Sequence, residues 1–117
     1  MKNQPFLNRF GNALRGLASA WKSERSFRFH TLALAGLGLA LAVLRPGALW
    51  VALLTIAAAA VISAELVNTA IEALADRLHP ERHPLIQRVK DCAAAAVLVA
   101  AMGAWGAGTA LAFHLWG

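Results

Sequence analysis

The chain has 117 residues, of which 59% are apolar and 15% charged, and its formal net charge is +5. Ordinary soluble domains contain about 45–50% apolar and about 25% charged residues. So few polar residues could hardly cover the surface of a small soluble globule, and intrinsic disorder requires few apolar residues. The composition therefore predicts one integral membrane domain over residues 1–117.

Residues 1–28 contain no long apolar run, but basic residues alternate with apolar ones there. The apolar residues recur at helical spacing: Phe6, Phe10, Leu14, Leu17 and Trp21. This pattern predicts an amphipathic helix that lies on the membrane surface. No compact apolar core with a cleavage site opens the chain, which argues against a signal peptide, and Glu24 argues against an organellar transit peptide.

Three apolar segments follow, and they predict membrane helices over 29–44, 48–78 and 92–116. The sequence Arg45-Pro46-Gly47 predicts a tight turn, and His79-Pro80 predicts the end of the second span. A helix of about 30 residues measures about 45 Å, more than the hydrocarbon core of about 30 Å. The far end of the second span is therefore expected to protrude into water.

The basic residues predict the orientation of the spans. Six precede the first span, one lies in the first turn, four lie between spans two and three, and none follows. By the positive-inside rule, the N-terminus and the 77–90 loop are cytoplasmic and the C-terminus is outside. Basic residues that flank spans do not indicate a nucleic-acid partner. The single cysteine, Cys92, excludes an internal disulfide framework.

The most informative feature is a row of polar residues on span two, called here the polar stripe: Glu65, Asn68, Glu72 and Asp76. Their spacing places them on one helical face. A carboxylate at membrane depth costs several kcal/mol unless it is paired, protonated or hydrated. About 20 residues cross the core, so Glu65 is expected just inside the cytoplasmic boundary and Glu72 at or beyond it. A lipid and a water-soluble reactant could meet there.

Carboxylates held together bind Mg²⁺, and one of them can instead remove a proton from a hydroxyl. Nearby cations can neutralise phosphate oxygens, and Arg25, Arg28, Arg77, Arg82, Arg88 and Lys90 are expected at the same membrane level. Metal, base and phosphate clamp are the components of phosphoryl transfer. The residues alone do not identify the nucleotide.

Simpler interpretations of the polar residues stay open. Glu72 or Asp76 would form a solvated surface pair with Arg77. Glu65 and Asn68 would form a hydrogen-bonded lock between helices. The other polar features have simple interpretations too: Lys90-Asp91 as the capped start of span three, His79 and His83 as loop residues without a metal, and His30 and His114 as packing residues.

The sequence resembles the prokaryotic diacylglycerol kinase family, which includes the undecaprenol kinases, over about residues 8–113. The resemblance is carried by these stretches: Ala13-Leu14-Arg15-Gly16-Leu17, 24–30, 65–72, Asp76-Arg77, His83-Pro84 and Arg88-Val89-Lys90-Asp91. It implies an all-α integral membrane homotrimer, with three transmembrane helices and an N-terminal amphipathic surface helix per subunit, in the bacterial cytoplasmic (inner) membrane. It also implies Mg²⁺-dependent transfer of the ATP γ-phosphate to a lipid hydroxyl, with diacylglycerol or, alternatively, undecaprenol as acceptor.

The resemblance also implies roles for individual residues. Glu65 would be the general base, Asn68 would support the phosphate and metal geometry, and Glu24 and Glu72 would hold Mg²⁺ on the ATP phosphates. The implied nucleotide contacts are Glu81, Arg82, His83, Lys90 and Asp91. The implied lipid entry is formed by Ser26, Phe27, Arg28, Phe29 and His30.

Two other classes of protein remain as alternatives. A small proton-coupled transporter would use Glu65 as its proton carrier, but its carboxylate is expected at mid-membrane depth. A non-catalytic membrane subunit would bind a partner through its Gly- and Ala-rich helices, which would leave the polar stripe without a role.

Overall fold

The computed structural model describes residues 5–117, and every element in this range is helical. The four helices are α1 (Phe6–Ser23), α2 (Arg25–Leu44), α3 (Ala48–Leu78) and α4 (Pro84–Trp116). The predicted all-helical class is thus confirmed. Residues 1–4 of the predicted surface helix lie outside the described residues.

Helices α2, α3 and α4 are each long and apolar enough to cross a membrane. Only 6–17% of the residues in the most apolar stretch of each helix are buried inside the chain. A single copy therefore presents most of its apolar side chains outward, as expected for a protein whose surroundings are lipid or further copies of itself. The predicted number of membrane-length helices is confirmed.

The first break between helices is the corner at Glu24. Glu24 has an extended backbone, with φ −117° and ψ 111°, and it separates α1 from α2. Arg28 stabilises this corner, because its guanidinium Nη1 donates to the carbonyl oxygens of Trp21 (2.8 Å) and Lys22 (3.1 Å) at the end of α1. The first membrane helix consequently begins at Arg25, four residues before the predicted start of the span.

The predicted turn after α2 is present. Arg45 adopts the left-handed conformation, with φ 50° and ψ 57°, and Gly47 has φ 113°. A positive φ of this size is accessible to glycine without steric cost. Helix α3 ends at Leu78, as the following His79-Pro80 predicted, because the residue before proline is disfavoured in helical geometry.

Helix α4 begins earlier than the predicted third span. Pro84 is its first residue, and the Nδ1 atom of His83 accepts a hydrogen bond from the backbone N–H of Leu85 at 3.1 Å. Proline suits this position because the first N–H groups of a helix have no partner within it. Lys90 and Asp91 therefore lie within α4, and their interpretation as its capped start was wrong.

The apolar core lies near the α2–α3 turn and the C-terminal end of α4. Leu41, Leu54 and Leu111 are buried together there, and the ring of Trp50 packs 5.2 Å from that of His114. This packing confirms the prediction for His114. It also places the core at the end of α3 opposite to the polar stripe.

We expect Leu54→Ala to lower the free energy of unfolding by about 2–4 kcal/mol, because Leu54 is 2% exposed and its truncation leaves a cavity. Unfolding by detergent titration measures the loss. Leu49→Ala on the same helix is the matched control, since Leu49 is 72% exposed. Equal losses in the two variants would contradict the assigned core.

Candidate active site

A cavity of about 280 Å³ opens between the α1–α2 corner, α3 and α4. Its lining residues are Glu24, Ser26, Glu65, Asn68, Thr69, Ala94 and Val97. Glu24 reaches it because the chain is extended at the corner, and Glu65 and Asn68 reach it because they share a face of α3. The structure thus brings Glu24 together with Glu65 and Asn68, which follow it in sequence by more than 40 residues.

Glu65 is the buried acid of the described chain, with 6% of its surface exposed. Its Oε1 atom lies 2.5 Å from Nδ1 of His30 on α2. This is an ion-pair distance, although the ring is not aligned for a regular hydrogen bond. The Oε2 atom is also buried and has no hydrogen-bond partner among the described residues.

Asn68 links the cavity to the next acid of the polar stripe. Its Nδ2 donates to Oε1 of Glu72 at 3.4 Å, one turn further along α3. The Asn68 Oδ1 atom is buried and without a partner in the described structure. The hydrogen bond that Asn68 makes lies within α3, and the contact that Glu65 makes between helices is the ion-pair contact with His30.

The oxygen atoms of this region suit Mg²⁺. No cluster of three or more His, Cys, Asp or Glu side chains with metal-binding geometry occurs among residues 5–117. Mg²⁺ does not need one, because it is usually held by one or two carboxylates, water and substrate phosphates. Glu24 in the cavity, Glu72 beside it and the orphaned amide oxygen of Asn68 are hard oxygen donors, so the residues fit this ion.

The last acid of the stripe pairs across helices. Lys90 Nζ lies 2.5 Å from Oδ1 of Asp76, which joins α4 to α3, so Asp76 does not depend on Arg77 for a partner. Asp91 accepts a hydrogen bond of 2.8 Å from Nε2 of Gln87 on its own helix. Of the two predicted nucleotide contacts of α4, Lys90 thus pairs with the polar stripe and Asp91 with a residue of α4 itself.

The short loop between α3 and α4 carries the remaining predicted nucleotide contacts. His79 Nδ1 lies 3.6 Å from Oε2 of Glu81, and the rings of His79 and His83 pack edge to face at 5.5 Å. Glu81, Arg82 and His83 are exposed and do not line the cavity. The structure therefore places them outside the cavity, at the end of the molecule where the polar stripe ends.

The five predicted lipid-entry residues separate into different environments. Ser26 lines the cavity, Phe27 is buried at 4% exposure, and Phe29 is 67% exposed. Arg28 bonds the carbonyl groups at the end of α1. His30 contacts Glu65 on α3, so its ring faces a charged group as well as its apolar neighbours.

Sequence reasoning missed Thr69, Ala94 and Val97 as cavity residues. Thr69 follows Asn68 directly, and its position beside the polar stripe was a usable signal. Ala94 and Val97 belong to the uniform apolar run of α4, in which nothing distinguishes the residues that face the cavity.

Comparison with known proteins identifies the same family that the sequence resembles. The family model described as prokaryotic diacylglycerol kinase matches residues 11–112. A diacylglycerol kinase of Escherichia coli is 37% identical over 90 residues, which cover 77% of this chain and 74% of the relative. An undecaprenol kinase of Bacillus subtilis is 36% identical over 104 residues, which cover 83% of this chain and 79% of the relative.

A diacylglycerol kinase of Synechocystis sp. is 38% identical over 96 residues, and the match covers 81% of this chain. The chain spans just over half of that relative's length, 55%. The family match runs from within α1 to the last turns of α4 and includes the polar stripe and the cavity. The chain belongs to the prokaryotic diacylglycerol kinase family.

Proposed function

We propose that the protein is an ATP- and Mg²⁺-dependent lipid kinase that phosphorylates diacylglycerol to phosphatidic acid at the cytoplasmic surface of the bacterial inner membrane. The observation that carries this proposal is the buried Glu65 carboxylate, whose second oxygen has no partner among residues 5–117 and whose cavity also holds Glu24. A buried carboxylate without a full set of partners is costly, and such groups are typical of sites that act on a substrate.

In the proposed reaction, Oε2 of Glu65 accepts the proton of the lipid hydroxyl as the hydroxyl oxygen attacks the γ-phosphorus of ATP. The bond from phosphorus to the bridging oxygen breaks, and ADP leaves with that oxygen. Glu65 suits the role of base because its free oxygen is shielded from water and its other oxygen is held.

Glu24 and Glu72 are the proposed holders of Mg²⁺, with Asn68 orienting Glu72 through the hydrogen bond between them. When bound, Mg²⁺ would neutralise charge on the phosphate oxygens. Lys90 and Asp91 are the proposed nucleotide contacts on α4, and Glu81, Arg82 and His83 are those of the loop. Lys90 would exchange its partner Asp76 for a phosphate oxygen.

The same proposal includes the assembly and its orientation. Three helices that leave most of their apolar surface outside the chain support a homotrimer, in which neighbouring copies would cover part of it. The distribution of basic residues supports a cytoplasmic N-terminus and an external C-terminus.

Undecaprenol is the second candidate acceptor, because the Bacillus subtilis undecaprenol kinase matches this chain as well as the diacylglycerol kinases do. Both alcohols present a hydroxyl group at the membrane surface, so the proposed chemistry is the same for either lipid.

Competition between the two lipids tests the function. The purified protein is given diacylglycerol and undecaprenol together in mixed micelles with γ-labelled ATP and Mg²⁺, and the labelled lipids are separated. We expect labelled phosphatidic acid to form faster than undecaprenyl phosphate. Faster labelling of undecaprenol would make it the substrate, and no labelling of either lipid would contradict a kinase that uses these acceptors.

A further inference from the structure

We propose that His30 is the positioning residue of the general base, an inference that rests on the proposed function. In this proposal the Nδ1 side of its ring lies against Oε1 of Glu65 at ion-pair distance, so that Oε2 is left for the proton of the lipid hydroxyl. The observation is the 2.5 Å contact between His30 on α2 and Glu65 on α3.

The proposal places a proton on Nδ1 of His30. The Nδ1 atom of His30 is buried, and so is the carboxylate that it faces. A lone pair on nitrogen and a carboxylate oxygen at this separation repel each other, whereas an N–H group beside a carboxylate forms a strong, charge-assisted contact. With the proton on Nδ1, the ring attracts Oε1 and favours one orientation of the carboxylate.

No Lys or Arg side chain takes this role at the cavity. The described residues that line it carry one further charge, the carboxylate of Glu24 from the α1–α2 corner. Helix α4 contributes only Ala94 and Val97, and Glu72 lies beyond Asn68. The lining thus contains no Lys or Arg, and His30, which lies outside the lining, is the described side chain whose nitrogen faces Glu65.

The position of the ring is itself constrained. Phe29 packs against His30 with ring centres 5.6 Å apart and planes at 71°, and 33% of the His30 side chain is exposed.

During phosphoryl transfer the proton from the lipid hydroxyl goes to Oε2 of Glu65, while the Nδ1 proton stays on His30. The residue therefore acts through Glu65 and does not touch the reacting atoms.

Two substitutions separate this role from packing. Asparagine keeps an N–H donor close to the position of Nδ1 but loses the ring, whereas phenylalanine keeps the ring but loses the donor. We expect His30→Phe to lower kcat about tenfold, while His30→Asn keeps most of the activity. The KM for ATP should change little in both variants, because His30 is not among the proposed nucleotide contacts.

A packing role would reverse this order, because phenylalanine fills the space that asparagine leaves empty. The matched control is the same pair of substitutions at His114, which packs against Trp50 in the apolar core. Neither change there should lower kcat. His30→Ala, which also lacks the donor, replaces His30→Phe if the larger ring prevents folding, and asparagine should then still be the more active variant.

A kcat for His30→Phe equal to that of the unsubstituted protein would overturn the positioning role, and so would a lower kcat for His30→Asn than for His30→Phe. The proposed function is judged separately, by lipid phosphorylation in the unsubstituted protein and by Glu65→Gln. Failure of the His30 series with both of those results intact would therefore refute this inference alone.

Discussion

We expect Glu65→Gln to lower kcat for lipid phosphorylation by about 10²–10⁴-fold, the usual contribution of a general base. The amide has nearly the shape of the carboxyl group but cannot accept the hydroxyl proton. Glu65 is 6% exposed, and a neutral side chain costs less to bury than a charged one, so the variant should fold. Steady-state rates with γ-labelled ATP measure the change.

The control for this variant is a second change from carboxyl to amide on the same helix. Asp76 is exposed and pairs with Lys90 outside the cavity, so Asp76→Asn should lose much less activity than Glu65→Gln. Turnover by Glu65→Gln close to that of the unsubstituted protein would refute the assigned base. A loss of the folded protein in detergent, seen as aggregation, would mean that Glu65 has a structural role.

The helix ends that the sequence predicted are those with a direct chemical cause. Arg45-Pro46-Gly47 and His79-Pro80 end helices wherever they occur, because proline restricts the residue before it and removes a backbone donor. Both ends are found where expected. Residue type alone was sufficient there, since no contact with another element is needed to produce the break.

The helix starts were less predictable because the membrane spans were identified by their lack of charge. Helix α4 begins at Pro84, where a proline and a histidine cap satisfy the helix terminus, although charged residues follow within two turns. Helix α2 begins at Arg25 for a similar reason, since Arg28 bonds the end of α1. Where a helix extends beyond the membrane, the hydropathy of the sequence does not mark the residue at which the helix starts.

The candidate site was predictable in one part and not in another. Helical periodicity alone places Glu65, Asn68 and Glu72 on one face of α3, because residues three, four and seven positions apart share a face. The pairing of Glu65 with His30 depends on how α2 is rotated against α3. That rotation is set by tertiary packing, and no periodicity in the sequence of α2 marks His30 as the residue that faces α3.

The second large expected effect comes from substituting the proposed Mg²⁺ ligands. We expect Glu72→Gln to lower the rate about 100-fold at a Mg²⁺ concentration that saturates the unsubstituted protein, and to raise the Mg²⁺ concentration needed for half-maximal rate. The physical reason is that an amide oxygen carries no net charge, so one of the two proposed carboxylate ligands is weakened. Glu24→Gln should act in the same direction, since Glu24 lies in the same cavity as Asn68.

Titration with Mg²⁺ at fixed ATP and lipid distinguishes this role from that of the base. Excess Mg²⁺ should restore part of the activity of Glu72→Gln, because the remaining oxygen donors still bind the ion weakly, and it should not restore Glu65→Gln, which lacks the proton acceptor. The hydrogen bond from Asn68 to Glu72 can persist to the amide oxygen, so the local helix geometry should be kept. An unchanged Mg²⁺ requirement in Glu72→Gln would exclude Glu72 as a ligand and leave Glu24 as the carboxylate to examine.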